Sequence, residues 1–146
     1  MSVFVDTSAL YAVVDAGDAQ HEQAAAEWER LLVSGRILRT TSYVLLETTA
    51  LVLHRLGMAA LRLLQLDVVP VLAVTWVGQV EHEAGAAALL AADRRALSLA
   101  DCVSFDVMRR LGLREAFAFD SHFAEQGFRC LPSSAAELEP GSRPVT

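Results

Sequence analysis

The sequence predicts a three-layer α/β fold in which helices cover both faces of a five-stranded parallel sheet. Short apolar, β-branched or aromatic runs alternate along the chain with longer segments of helical spacing, a pattern typical of parallel sheets. The first run, Ser2–Val5, is apolar after its serine, as expected for a central parallel strand that is buried on both faces. The length of 146 residues fits one domain.

The first half of the chain is predicted to form two strands and four helices, bounded by caps and glycines. Asp6 or Ser8 can cap the first helix, and Gly35 and Gly57 end the second and third helices. The predicted elements are, in order, strand Ser2–Val5, helix 8–14, amphipathic helix His21–Val33, strand Ile37–Thr41, helix Ser42–Leu56, which is apolar nearly all round, and short helix 59–66.

The second half is predicted to add three strands and three helices. Asp67 and Pro70 mark a loop, and Gly112 ends the last long helix. From Ser133 onward little can be buried, so we expect a domain over residues 1–132 and a flexible C-terminal tail over residues 133–146. The predicted elements are strand 71–75, helix 77–92, helix 98–111, strand 116–119, short helix 121–126 and strand 128–131.

Composition and charge restrict the possible functions. Hydrophobic residues make up 53% of the chain, against a usual share of about 45–50%. Either the core is large or apolar surface is left over for a partner. The net charge of −6 argues against strong non-specific binding to phosphate backbones. All 12 basic residues are arginine, which excludes chemistry that requires a lysine.

Nothing in the sequence points to a membrane or to an oxidising compartment. No apolar stretch reaches the roughly 18 residues of a membrane span, and Asp6 interrupts the N-terminal apolar run, which makes it unlike a signal peptide. Cys102 and Cys130 form neither a metal-binding spacing nor a disulfide framework. We therefore expect a soluble, cytoplasmic protein that does not contact a membrane.

Four acidic residues occur where the surrounding sequence is apolar. Asp6 and Asp120 follow the first and fourth predicted strands, and Glu47 and Asp101 lie in apolar stretches of predicted helices. Such carboxylates are costly to desolvate unless a cation or hydrogen bonds compensate them. Because the carboxyl ends of parallel strands form the sites of open α/β sheets, the four acids predict one acidic pocket that holds a divalent metal.

Helix capping is the alternative explanation for three of these acids. Asp6 and Asp120 precede predicted helices, as N-caps do, and Asp101 matches a capping box with Ser98. Glu47 lies too far into its helix for a capping box, and no basic residue is three or four positions away. A functional role is therefore the better explanation for Glu47.

The types of side chain available indicate which ion fits. The histidines, His122 among them, are isolated in the sequence, and none is assigned as a ligand. Oxygen ligands favour Mg²⁺ or Mn²⁺ over Zn²⁺. Whether one or two ions bind stays open, and Glu47 can either ligate a second ion or orient the attacking water. Thr7 and Ser8 can support the pocket by hydrogen bonding, or they can serve only the helix cap.

Three segments carry a resemblance to a known family. They are V-F-V-D-T-S-A-L at the start, the isolated glutamate of the third helix, and S-L-A-D-C-V-S-F-D-V-M-R-R-L-G-L-R-E-A-F-A-F-D-S-H-F-A-E-Q-G-F. Together they resemble a PIN-domain ribonuclease, in particular the VapC-type toxin of bacterial toxin–antitoxin pairs. The resemblance covers residues 2–131. It implies a five-stranded parallel PIN-like fold and a catalytic Mg²⁺ or Mn²⁺ pocket formed by Asp6, Glu47, Asp101 and Asp120.

The resemblance also implies a substrate and partners. It implies a metal-dependent endoribonuclease that cuts structured RNA such as tRNA or rRNA, although nothing in the residues alone distinguishes RNA from DNA. It further implies a small antitoxin protein that covers the site, and a homodimer. The high share of hydrophobic residues fits such contacts, and Trp28, Trp76 and residues 56–66 are candidate contributors.

Two positions near the fourth acid depart from the pattern of many such relatives. Ala118 stands where many have Thr or Ser, and His122 stands where many have an acid. Both changes affect the groups that position water near Asp120, so the alternative function is a catalytically impaired PIN-fold module that binds RNA or protein. A phosphoryl-transfer domain is disfavoured because such domains need a lysine, which this chain lacks.

Overall fold

The computed structural model of the protein describes residues 1–133 and has a sheet of five parallel strands. The predicted three-layer α/β fold is therefore confirmed. Residues 134–146 of the predicted tail lie outside the described residues, so the tail and the domain boundary at residue 132 stay predictions. The strands are β1 (Ser2–Val5), β2 (Ile37–Thr41), β3 (Ala73–Thr75), β4 (Glu115–Phe117) and β5 (Arg129–Leu131).

Helices connect the successive strands and cover the sheet. A π-helical turn (Leu64–Val68) and a 3-10 turn (Val69–Val71) lead into β3. Within residues 1–133, no helix combines the length and the hydropathy needed to cross a bilayer. The α-helices are α1 (Thr7–Val14), α2 (His21–Val33), α3 (Ser42–Leu56), α4 (Met58–Leu63), α5 (Gln79–Ala92), α6 (Leu99–Leu111) and α7 (Ser121–Glu125).

The strand order β3-β2-β1-β4-β5 places the first strand at the centre of the sheet. Phe4 of β1 pairs with Arg39 on one side and with Ala116 on the other. The chain moves outward from β1 through β2 to β3, then crosses back to add β4 and β5 on the opposite side of β1. The topological switch point therefore lies between β1 and β4, where open α/β sheets form a cleft at the carboxyl ends of their strands.

An aromatic cluster attaches the last two helices to this central strand. Phe123 of α7 lies with its ring centroid 6.0 Å from that of Phe4 and 5.0 Å from that of Phe105 on α6. Phe4 and Phe123 are fully buried, and aromatic pairs of this kind contribute about 0.5–1.5 kcal/mol beyond the burial of their area. The cluster fixes both helices beside the carboxyl end of the sheet.

Three predicted strands differ from the observed ones at their ends. The strand predicted over residues 71–75 begins only at Ala73, because the proline-containing 3-10 turn takes up Val71. The strand predicted over residues 116–119 is Glu115–Phe117, and the N–H of Phe119 donates to the Ser8 hydroxyl (2.9 Å) instead of pairing with a strand. The strand predicted over residues 128–131 begins at Arg129. The first difference has a local cause, whereas the second depends on a contact that is distant in sequence.

Some of the large hydrophobic side chains are exposed on the surface. Helix α3 buries only one face, which includes Val44, Thr48 and Val52, while Leu46 and Leu53 are exposed. Further exposed apolar side chains follow in α4 and the π-helical turn. Of the two tryptophans predicted as surface contributors, Trp76 is exposed, whereas Trp28 packs against the core. The exposed members of this apolar surface on α3, α4 and the π-helical turn are Leu46, Leu53, Met58, Leu63 and Leu66.

Candidate active site

Asp6 lies at the switch point, immediately after β1. Its Oδ2 accepts hydrogen bonds from the backbone N–H of Ser8 (3.1 Å) and from the Ser8 hydroxyl (2.7 Å), so it caps α1 as predicted. The N–H of Asp6 donates to the carbonyl of Phe117 at 3.0 Å, which ties the residue to the end of β4. Asp6 is only 4% exposed. The cap therefore holds a buried carboxylate at the cleft.

Asp101 lies in the first turn of α6 and forms the predicted capping box. Its Oδ2 accepts from the N–H of Ser98 (3.0 Å), and the Ser98 hydroxyl accepts from the N–H of Asp101 (3.0 Å). Asp101 is 7% exposed. The box engages Oδ2, so capping is compatible with a second role for Oδ1 in the cleft.

Asp120 follows β4 and caps the short helix α7. Its Oδ1 accepts a hydrogen bond from the backbone N–H of His122 at 2.8 Å. Its side chain is 28% exposed, so it is more accessible than the carboxylates of Asp6 and Asp101. Asp120 therefore stands at the mouth of the cleft.

Glu47 reaches the cleft from α3 and is more exposed than the three aspartates. It lies on the exposed side of the helix, because α3 turns Val44, Thr48 and Val52 inward. Against the effect of burial, the neighbouring Thr7 hydroxyl lowers the pKa of the Glu47 carboxyl, and it donates to the carbonyl of Val44 at 3.4 Å. Thr7 also accepts a hydrogen bond from the Thr48 hydroxyl at 3.1 Å, so Thr7 joins the Asp6 side of the cleft to α3.

Electrostatic repulsion connects the four carboxylates. The pKa of Asp6 is raised to about 7, by burial first and also by the charge of Asp101, against the hydrogen bonds from Ser8. The pKa of Glu47 is raised by loss of surrounding water and then by the charges of Asp101 and Asp120. The pKa of Asp101 is raised by burial, opposed by Ser98 and increased by Asp120. The cleft thus resists full ionisation unless a cation enters.

His122 also belongs to this cluster, although the sequence alone assigns no histidine as a ligand. Asp101, Asp120 and His122 each offer a possible metal-ligand atom, and these atoms lie within 4.8 Å of one another. Asp6 and Glu47 border this trio through their repulsion with Asp101. Burial lowers the pKa of His122, but Glu125 and Asp120 raise it overall. The only sequence signal for His122 was its place two residues after Asp120, where many relatives have an acid.

The family model for the PIN domain matches residues 3–129. Since this match spans nearly the whole described part of the chain, the protein belongs to the PIN domain family. The resemblance to VapC-type PIN proteins that the sequence predicts is confirmed by the relatives. The chain is 35% identical over 127 residues to the 23S rRNA-specific endonuclease VapC20 of two Mycobacterium tuberculosis strains, covering 86% of this chain and 95% of the relative.

Solved structures agree with this assignment. The crystal structure of Mycobacterium tuberculosis VapC20, a Sarcin-Ricin loop cleaving toxin, matches with a TM-score of 0.73 at 35% identity, over 86% of this chain and 95% of that chain. VapBC2 from Rickettsia felis, bound to a promoter DNA fragment, matches with a TM-score of 0.66 at 10% identity, over 89% and 97%. FitAcB from Neisseria gonorrhoeae matches with a TM-score of 0.63 at 12% identity, over 89% and 96%. The last two likenesses show the fold alone.

Proposed function

We propose that the protein is a divalent-metal-dependent endoribonuclease, acting as the toxin of a toxin–antitoxin pair through Asp6, Glu47, Asp101 and Asp120. The observation that carries this proposal is the mutual repulsion of four carboxylates at the switch point of the sheet. No arginine in residues 1–133 forms an ion pair with any of them. Carboxylates packed in this way need a cation from outside the chain to stay ionised together.

The donor atoms fit Mg²⁺ or Mn²⁺. Carboxylate oxygen is a preferred ligand of both ions, and Asp6, Asp101 and Asp120 would hold an ion from β1, from α6 and from the loop after β4. Glu47, the most exposed of the four, would hold a second ion or orient the attacking water. A bound ion supplies a Lewis acid that polarises a phosphodiester oxygen and makes water a stronger nucleophile.

The proposed substrate rests on the named activity of the relative from Mycobacterium tuberculosis. VapC20 of Mycobacterium tuberculosis is a 23S rRNA-specific endonuclease, so we propose structured rRNA as the substrate of this chain, with tRNA as the second candidate. Such a substrate implies action in the cytoplasm. The chain carries a net charge of −6, so the metal has to supply much of the attraction for phosphate. Arg95, exposed in the loop before α6, is a candidate for contact with the RNA backbone.

RNA cleavage with defined metal ions tests the proposed activity. We expect endonucleolytic products from rRNA with Mg²⁺ or Mn²⁺ and none in excess EDTA. Asp101→Asn should retain its capping hydrogen bond through the amide oxygen, yet its cleavage rate should fall more than about 100-fold. Losing a metal ligand should cost at least as much activity as losing a residue that hydrogen-bonds to that ligand. The matched control is Asp106→Asn on the same helix, where Asp106 pairs with Arg110, and it should cleave like the wild type. Full activity of the wild type in EDTA would refute the metal mechanism.

The catalytically impaired module is the less favoured function. Ala118 is buried and lacks the hydroxyl group that many relatives have near Asp120, but the chain has all four of the proposed carboxylates. His122 adds a possible ligand atom instead of removing one. Tight RNA binding without cleavage of rRNA or tRNA under any of these metal conditions would instead support the module.

We also propose an antitoxin partner that docks on an apolar surface formed by α3 and the start of α6. A shallow apolar hollow of about 380 Å³ borders Glu47, so a protein segment seated there would cover the acids. Co-expression with the neighbouring reading frame should give a co-purifying complex. Leu46→Asp should abolish the complex and keep cleavage, whereas Leu90→Asp, an exposed leucine on α5, should change neither. The residues lining the hollow are Tyr43, Leu46, Glu47, Ala50, Leu99 and Ala100.

A homodimer is the remaining proposed assembly. The exposed side chain of Trp76 and the rest of the apolar surface offer area for a second copy of the chain. Light scattering after size-exclusion chromatography should give twice the mass of the 15.8 kDa chain. A monomer at micromolar concentration, without the antitoxin, would contradict this part of the proposal.

A further inference from the structure

The imidazole of His122 is held with one ring nitrogen facing the carboxylates of the cleft. Its Nε2 lies 3.8 Å from Asp120 Oδ1, and Asp101, Asp120 and His122 each offer a ligand atom within 4.8 Å of the others. The side chain of His122 is only 13% exposed. The ring is therefore mostly enclosed and cannot turn freely into solvent.

The other ring nitrogen, Nδ1, contacts a carboxylate of the same helix. His122 Nδ1 lies 3.3 Å from Glu125 Oε2, and the same carboxylate oxygen accepts a hydrogen bond from Arg94 Nη1 at 3.0 Å. Arg94 thus pairs with Glu125, and because a carboxylate only accepts, its contact with Nδ1 favours the tautomer that carries the proton there. In that tautomer the lone pair is on Nε2, the nitrogen 3.8 Å from Asp120 Oδ1. A metal-ligating histidine usually donates the N–H of its other ring nitrogen to a carboxylate, a carbonyl or water.

We propose that His122 is a nitrogen ligand of the divalent metal beside Asp101 and Asp120, with Glu125 and Arg94 as its positioning residues. The inference rests on the proposed metal-dependent function and adds a residue that the pattern of four acids does not contain. Mg²⁺ strongly prefers oxygen ligands, whereas transition-metal ions bind imidazole more readily. A nitrogen ligand therefore shifts the preference of the site from Mg²⁺ toward Mn²⁺.

Pulsed electron paramagnetic resonance of bound Mn²⁺ tests the bond directly. We expect the wild-type protein to give the nuclear modulation of a directly coordinated imidazole nitrogen, and His122→Asn to lose it. Asparagine places its amide near the position of Nδ1, so it can keep the contact with Glu125 while removing Nε2. His54→Asn, at an exposed histidine of α3, is the matched control and should keep the modulation.

Calorimetric titration gives the second readout. His122→Asn should bind Mn²⁺ about 10-fold or more weakly, and Glu125→Gln should weaken Mn²⁺ binding by up to about 10-fold through loss of ring orientation. His122→Asp should lower the ratio of Mn²⁺ to Mg²⁺ affinity, because it returns an oxygen ligand to the site. Circular dichroism of each variant in EDTA checks that it is folded.

The outcomes separate this inference from the proposed function. Wild-type protein that binds Mn²⁺ and cleaves RNA without a nitrogen modulation would overturn the role of His122 and leave the nuclease proposal standing. Equal Mn²⁺ affinity of folded His122→Asn and the wild type would overturn it as well. Wild-type protein that binds no Mn²⁺ or Mg²⁺ would overturn both.

Discussion

Ser8 joins two strand ends through a single hydroxyl group. Its Oγ donates to Asp6 Oδ2 at 2.7 Å and accepts from the N–H of Phe119 at 2.9 Å. The first contact orients the carboxylate after β1, and the second fixes the backbone after β4. The sequence left open whether Ser8 serves the helix cap or the pocket, and its hydrogen bonds reach both. We propose Ser8 and Thr7 as residues that support the site.

Replacing Ser8 with alanine should therefore affect both stability and activity. The N–H of Phe119 loses its partner, and because this bond is half-buried, we expect a loss of about 1 kcal/mol, at the low end of the cost of an unsatisfied donor. Cleavage should fall by less than in Asp101→Asn, since the carboxylates remain. Urea denaturation and RNA cleavage rates measure the two effects, with Ser34→Ala at the end of α2 as the control. A Ser8→Ala protein as stable as the wild type would contradict the bridging role.

At the scale of elements, Gly85 sets how closely α5 approaches α6. A Cβ atom at this position would lie 2.4 Å from Val103 Cγ2 and 3.2 Å from the backbone nitrogen of Val103. Val103 is fully buried, so it cannot move aside easily. Because α6 also carries Asp101, the spacing of these two helices helps to place a carboxylate in the cleft.

Gly85→Ala should destabilise the protein even though alanine favours helix. Overpacking costs about 1–3 kcal/mol, and the gain in helix propensity of about 1 kcal/mol offsets only part of it. Thermal unfolding should show a lower Tm, together with weaker Mn²⁺ binding as α6 shifts. Gly17→Ala meets nothing closer than 3.4 Å and should leave both unchanged. A Gly85→Ala protein with a raised Tm would show that the helices separate without cost.

The secondary structure could largely be predicted from the sequence, whereas some contacts that position the site could not. The number of strands and the approximate ranges of the helices follow from hydrophobic spacing, and Asp6, Asp101 and Asp120 stood out because each is a charge beside an apolar run. The position of His122 depends instead on α7, which Phe123 fixes by packing on two rings that are distant in sequence. Contacts of that kind leave no local pattern. The same holds for the end of β4, which a serine more than a hundred positions away determines.

At the scale of the whole molecule, the acidic cleft makes the metal-free fold sensitive to pH. Burial raises the pKa of Asp6 to about 7 from the ordinary 3.8, and the pKa values of Glu47 and Asp101 are raised too. A raised pKa means that the folded chain holds a proton that the unfolded chain releases. The stabilisation is therefore complete below the ordinary pKa and is lost as pH rises through the folded-state value.

We expect the free energy of unfolding in EDTA to fall as pH rises from about 4 to about 7. Saturating Mn²⁺ should reverse the trend, since a cation binds the ionised carboxylates. Asp6→Asn should flatten the slope in EDTA and reduce the response to Mn²⁺, while Asp106→Asn should leave both as in the wild type. Denaturation curves at a series of pH values provide the measurement. A metal-free protein that becomes more stable over this range would contradict the electrostatic description of the cleft.

An anomalous difference map from crystals grown with Mn²⁺ tests directly whether the acidic cleft binds a divalent metal ion. We expect a strong peak between the carboxylates of Asp6, Asp101 and Asp120, and no such peak in Asp101→Asn crystals. A wild-type map at saturating Mn²⁺ without a peak among these three carboxylates would contradict this expectation.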